Sequence, residues 1–349
     1  MLQIFNYNHP FTLESGHTLP GYRLSYTTLG KLNENKDNVV WIFHALTANS
    51  NAMEWWPGLV GEGKLFDPSA YFIICVNMPG SCYGSIGPLE KDPRAGKPYY
   101  HNFPFFTTRD MIRAYQPLKT SLGINKIHIG IGGSMGGQQL LEWAVAEPEL
   151  FSYIFPIATN AKHSPWGIAF NASQRFCIEN DPSWKNRNES AGIEGMKIAR
   201  GIALLSYRSY ETYQASQAEQ ADDKRTAFNS ESYQRYQGEK LAKRFNAFSY
   251  YALSKSMDAH NIGRGRGGVE NALKSISART LAIGITTDVL FPVSEQEFIA
   301  THTPGGKFNA ITSPYGHDGF LLEYEQIENL IVEFLEKDCL TRKKMETTH

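Results

Sequence analysis

Gly132-Gly-Ser-Met-Gly136 is a G-x-S-x-G sequence, with Gly137 directly after it. It lies between the apolar run Lys126-Ile-His-Ile-Gly-Ile131 and a helix-patterned stretch, 134–147, that stops at Pro148. A strand that turns abruptly into a helix strains the backbone of the turn residue, so its neighbours must be small. Such a turn lifts the Ser134 hydroxyl to the carboxyl edge of a sheet. It also leaves the Met135 N–H at a helix N-terminus, where a developing oxyanion is stabilised. A phosphate-binding turn is the competing reading. The dinucleotide pattern G-x-G-x-x-G, however, needs glycine where Met135 stands, and no G-x-x-x-x-G-K-[ST] occurs.

The surroundings of this turn alternate between strand and helix patterns. Residues 22–28 alternate like a half-exposed strand, and 39–43 and 71–76 read as strands buried on both faces. Helical spacing over 107–122 ends at Gly123, and 151–155 is again strand-like. From 163 to 274 no strand pattern appears, and 196–207, 232–245 and 248–257 have helical spacing. Strand-like sequence resumes at Thr280-Leu-Ala-Ile-Gly-Ile-Thr286, followed by a helix, a strand at 308–312 and a last helix near 326–336. The expectation is an α/β chain with a mostly parallel central sheet flanked by helices. Its core would be 1–162 and 275–349, interrupted by a helical insertion, 163–274. The closing residues 341–349 are expected to fray.

A serine nucleophile needs a base, and the base an orienting acid, in the chain order Ser, Asp, His for this architecture. Of the ten histidines, only His302, His317 and His349 lie beyond the insertion. His317 occupies a loop after a late strand, in Pro314-Tyr-Gly-His-Asp-Gly-Phe320, where a base belongs; His302 falls in or just after a helix. Asp288 follows a strand directly and is the expected acid. Asp318 is a poorer orienter, because the adjacent backbone makes a bond to His317 Nδ1 awkward. The second oxyanion donor should come from the loop after an earlier strand. Phe43-His-Ala-Leu-Thr47 meets that need, with the Leu46 N–H as donor and His44 shaping the loop.

Composition narrows the function classes. The 349 residues carry 34 Lys and Arg against 35 Asp and Glu, so no net basic field exists to hold a polyanion. Gly263-Arg-Gly-Arg-Gly-Gly268 is the one feature that suggests RNA, and it lacks aromatic interleaving. The four cysteines form no C-x-x-C pair, no metal-ligand spacing appears, and no apolar run approaches the ~20 residues that span a bilayer. The start of the chain has no leader pattern. A soluble cytoplasmic protein with no membrane, nucleic-acid or metal partner is expected.

Taken together, the motifs resemble those of the homoserine O-acetyltransferases, within the α/β-hydrolase superfamily. The matching stretches include His44-Ala-Leu-Thr47, Trp55-Trp-Pro-Gly58, Cys82-Tyr-Gly-Ser85 and the Ser134 turn with Glu142-Trp-Ala144. Further matches are Ala199-Arg200 with Ser206-Tyr-Arg208, Tyr236-Gln-Gly238, Gly263–Gly268, Thr287-Asp288 and Gly316-His-Asp-Gly-Phe320. They run in the family's order from about residue 20 to 335. The resemblance implies the α/β-hydrolase fold with residues 163–274 as a helical lid, and a Ser134, Asp288, His317 triad. It also implies Arg200 and Asp318 as holders of L-homoserine, acetyl-CoA as co-substrate with no bound cofactor, and a homodimer built through the lid. The chain departs from the pattern at Met78-Pro-Gly-Ser81 and at Ala48, where Gly is common. A succinyl-CoA or serine-directed acyltransferase, or a serine esterase, would use the same scaffold.

Overall fold

The computed structural model describes residues 2–346, with side chains through residue 340. The strands are β1 (Leu2–Tyr7), β2 (Phe11–Thr12), β3 (Thr18–Leu19), β4 (Tyr22–Leu29), β5 (Val39–Phe43), β6 (Phe72–Val76), β7 (Ile127–Gly133), β8 (Phe151–Ile157), β9 (Arg279–Ile285) and β10 (Lys307–Ile311). Eight of them form one sheet in the order β1-β4-β6-β5-β7-β8-β9-β10, and β2 pairs with β3 separately. Strands β6, β5, β7, β8, β9 and β10 run parallel; β4 is antiparallel to β6 and to β1. The mostly parallel central sheet flanked by helices that the sequence predicts is thus present.

Strand β5 shows why the sheet is internal. All five residues are buried: Val39, Trp41 and Phe43 pack into one apolar cluster, while Val40 and Ile42 pack into another. A strand covered on both faces has no room for the polar alternation of a surface strand. From β5 the chain moves to β6 on one side and then returns to β7 on the other. The crevice opened at such a reversal, beyond the carboxyl ends of the strands, is where open parallel sheets place ligands. Register reinforces this, since Phe43 pairs with Gly132 and the loops after β5 and β7 leave the sheet side by side.

The helices are α1 (Ala52–Trp55), α2 (Thr108–Ser121), α3 (Met135–Ala146), α4 (Pro165–Glu179), α5 (Ile193–Tyr207), α6 (Tyr210–Gln217), α7 (Asn229–Ala242), α8 (Ala247–Asp258), α9 (Val269–Lys274), α10 (Val293–His302), α11 (Gly319–Leu322) and α12 (Tyr324–Glu346). Between β8 and β9 the described residues contain α4 to α9 and no strand of the sheet. The segment closes on itself at its root, where Lys162 bridges Asn261 and His163 N–H donates to the His260 carbonyl at 3.0 Å. The expected frayed end corresponds to helix as far as Glu346, and residues 347–349 lie outside the described residues. No helix among the described residues is long and apolar enough to cross a membrane.

Candidate active site

Ser134 has φ 56° and ψ −127°, a conformation that non-glycine residues rarely adopt and that costs ~1–3 kcal/mol. The surroundings hold it there. Its N–H donates to the Ile157 carbonyl at 3.0 Å, while its carbonyl accepts from Thr159 Oγ1 at 2.7 Å and from the Gln138 N–H at 3.2 Å. Two glycines permit the turn. A Cβ at Gly132 would lie 2.6 Å from the Gly136 carbonyl carbon, and one at Gly136 would lie 2.1 Å from the Phe43 carbonyl oxygen. Any side chain there would push the loop after β5 away from the turn. Although Ser134 precedes α3, its hydroxyl does not cap the helix and is left to the cavity.

Asp288 and His317 arrive from the ends of β9 and β10. His317 Nδ1 lies 2.6 Å from Asp288 Oδ2, and Asp288 Oδ1 accepts from the Leu290 and Phe291 N–H groups at 2.8 and 2.9 Å. The imidazole stacks on Phe291 with ring centres 5.2 Å apart, meets Phe320 edge-on at 5.3 Å, and has Tyr207 at 5.6 Å. These contacts fix its plane. His317 is 3% exposed and borders the same cavity as Ser134, which is 6% exposed. The bond between Ser134 Oγ and Nε2 is not closed in this structure; such bonds often tighten only in the substrate complex. The segment 163–274 grips the histidine loop directly, because Ser209 Oγ and Thr212 Oγ1 both donate to the Pro314 carbonyl.

Met135 is the first residue of α3, and Leu46 lies in the loop after β5. Among the described residues neither N–H has a protein acceptor, and both flank the turn that carries Ser134. His44 sets the Leu46 loop. Its Nε2 accepts the Met78 N–H at 3.1 Å, so the ring proton resides on Nδ1, which donates to the Ala45 carbonyl at 2.9 Å. Burial pushes this imidazole down to about 4, which keeps it neutral and able to accept.

The cavity over Ser134 has a volume of about 480 Å³. Arg200 and Asp318 both border it, but they do not pair with each other. Asp318 Oδ2 lies 2.7 Å from Arg208 Nε, and the Arg200 guanidinium sits over the Tyr207 ring, 5.4 Å from its centre. The motif Ser206-Tyr-Arg208 does not by itself give Arg208 a place in the site. Arg208 lies just beyond the end of α5 in extended backbone, φ −114° and ψ 150°, so helical spacing does not mark it. Lys240 and Arg244 also border the cavity and carried no sequence signal.

Arg264 and Arg266, from the Arg-Gly loop, turn inward. Arg264 pairs with Glu14 at 2.8 Å, and Arg266 pairs with the buried Glu142 at 2.7 Å, where Arg109 also bonds. The described residues contain no group of His, Cys, Asp or Glu placed to hold a metal ion.

Comparison with known proteins follows the same lines. The model of a family described as the alpha/beta hydrolase fold matches residues 38–324. A homoserine O-acetyltransferase of Cyclobacterium marinum is 51% identical over 332 residues, covering 95% of this chain and 94% of that protein. Among solved structures, a homoserine O-acetyltransferase from Bacillus anthracis superimposes with a TM-score of 0.88 at 25% identity, covering 96% and 97% of the two chains. Esterase E22 superimposes with a TM-score of 0.87 at 23% identity, covering 96% and 99%, and so shares the fold.

Proposed function

Because this chain belongs to the homoserine O-acetyltransferases of the α/β-hydrolase superfamily, we propose that it moves an acetyl group from acetyl-CoA to the L-homoserine hydroxyl through an acetyl-Ser134 intermediate. His317 Nε2 takes the Oγ proton as Oγ attacks the thioester carbonyl carbon. The Met135 and Leu46 N–H groups receive the oxyanion, a role in which loss of one donor costs ~3–4 kcal/mol of barrier. As the carbon–sulfur bond breaks, His317 returns the proton to the leaving thiolate. The homoserine hydroxyl then gives its proton to His317 and attacks the acetyl carbon. The Oγ–carbon bond breaks, and Oγ takes the proton back. Asp288, held by two backbone donors, keeps His317 in the tautomer this cycle requires.

One observation carries transfer over hydrolysis: a guanidinium and carboxylate set on the wall of the Ser134 cavity. Arg200 is available for an α-carboxylate, and Asp318, steadied by Arg208, for an α-ammonium. Positioning by these groups gives the amino-acid hydroxyl an effective concentration that water, though abundant, lacks. The segment 163–274 acts as a lid over that cavity, since α5 supplies Arg200 and Tyr207 while the loops that follow grip the histidine loop. The chain works in the cytoplasm, where acetyl-CoA is its co-substrate; its free cysteines fit a reducing compartment. Trp166, Phe176, Ile198 and Leu205 project from α4 and α5 more than half exposed, and they support a homodimer formed through the lid.

The test is to incubate the protein with acetyl-CoA alone and measure its mass. An added acetyl group on Ser134, discharged by homoserine to an ester, is expected. Succinyl-CoA and serine serve as competing donor and acceptor. Full turnover by Ser134→Ala, or preference for the succinyl donor, would overturn the reading.

A further inference from the structure

The cavity over Ser134 carries more positive charge than a zwitterionic acceptor uses. Arg200, Arg208, Lys240 and Arg244 border it, against Glu54 and Asp318. Arg208 is matched by Asp318. Among the described residues no carboxylate lies within ion-pair distance of Lys240 or Arg244. Arg244 is anchored instead by neutral oxygens: it donates to Tyr83 Oη at 2.7 Å and to the Thr47 carbonyl. Those bonds fix the guanidinium in place without cancelling its charge.

Depth separates the cations. Arg200 and Arg208 are part-buried beside Asp318, whereas Lys240 near the end of α7 and Arg244 just beyond it are exposed. The cavity is therefore zoned, with acceptor chemistry inside and two unmatched cations at the mouth. We propose that Lys240 and Arg244 bind phosphate groups of the acyl donor, holding its nucleotide end against the lid while the thioester reaches Ser134. This rests on the acyl-transfer reading above. Phosphate suits the pair, an ammonium point charge beside a guanidinium fork with donors to spare. A dicarboxylic acyl group suits it less, because its carboxylate would have to stay within a few bonds of Ser134, deeper than the exposed pair. The Thr47 bond gives the arrangement a consequence, for it joins the phosphate site to the loop that presents Leu46.

The experiment compares kcat/KM for acetyl-CoA, acetyl-dephospho-CoA and S-acetylpantetheine, which has no phosphate. The variants are Lys240→Ala, Lys240→Arg and Arg244→Ala. The wild type is expected to prefer acetyl-CoA over S-acetylpantetheine. Each alanine variant should shrink that preference about fivefold, a size suited to an exposed charge pair, and Lys240→Arg should restore most of it. Calorimetric titration of free coenzyme A should show a matching loss of affinity. If the preference falls equally with acetyl-dephospho-CoA, the pair holds the diphosphate; if it does not, the pair holds the 3′-phosphate. An unchanged preference together with unchanged coenzyme A affinity would overturn the proposal while leaving acyl transfer intact. Failure of wild-type protein to acetylate homoserine from any donor would instead remove the reading on which it rests.

Discussion

Asp288 leaves only one choice to the group opposite it. Its Oδ1 is taken by the Leu290 and Phe291 N–H groups, so Oδ2 must receive His317 Nδ1–H. In Asp288→Asn the two backbone donors hold the amide oxygen where Oδ1 stood and turn the NH₂ toward Nδ1. The imidazole must then accept on Nδ1 and carry its proton on Nε2, where it cannot take one from Ser134. The expected result is a fall in kcat of about 10⁴-fold with the urea midpoint nearly unchanged; activity within tenfold of wild type would refute this role. The meeting of Asp288 and His317 was legible in the sequence, because each follows a strand of a parallel sheet and neighbouring strands bring their carboxyl ends together. The pairing of Asp318 with Arg208 was not. It depends on how the carboxyl end of α5 packs against the histidine loop, which no local pattern records.

At the scale of elements, legibility follows burial on the sheet and fades where helices pack on helices. The apolar runs of β5 and β6 announce themselves because both faces are covered. Strand β1 is not legible in the same way: Leu2–Tyr7 is an edge strand whose residues are exposed or only partly buried, so it has no continuous apolar run. Helix α4 is also hard to read from sequence, although Ser164, which accepts the Gly167 N–H, followed by Pro165 is a recognisable start. Its pattern is blurred because apolar residues lie on two faces. Gln174 and Ile178 point inward while Trp166 and Phe176 point outward, and α5 likewise sends Ile198 and Leu205 to the surface. A helix apolar on its outer face needs a cover. Ile198→Glu combined with Leu205→Glu should therefore halve the mass measured by sedimentation and leave the circular dichroism unchanged. A wild-type chain that sediments as a monomer would exclude the lid-mediated dimer.

Across the whole molecule, three buried histidines tie the site to the root of the 163–274 segment. His44 sets the Leu46 loop. His163 and His260 sit where the 163–274 segment leaves and rejoins the sheet, with His163 bonded by Gln138 and Asn171 and His260 by Thr108 and the Asn160 carbonyl. Burial is the leading cause in each case, and it pushes His44 and His163 down to about 4 and His260 down to about 3. In the unfolded chain all three titrate near 6.5. Below that pH the unfolded chain binds protons that the native state refuses, so stability falls as acidity rises. Their contribution is complete above about pH 6.5. It is lost progressively as the pH drops to about 4, with a slope that can approach ~4 kcal/mol per pH unit if all three act together. Urea midpoints measured from pH 7.5 to 4.5 should fall steeply below pH 6.5, and His163→Gln should flatten the curve by about one proton. Because the native imidazoles stay neutral across that window, any loss of activity there should track the folded fraction and not a change in kcat of the folded enzyme. Stability that stays level between pH 7 and 5 would show that these imidazoles are not held neutral by the fold.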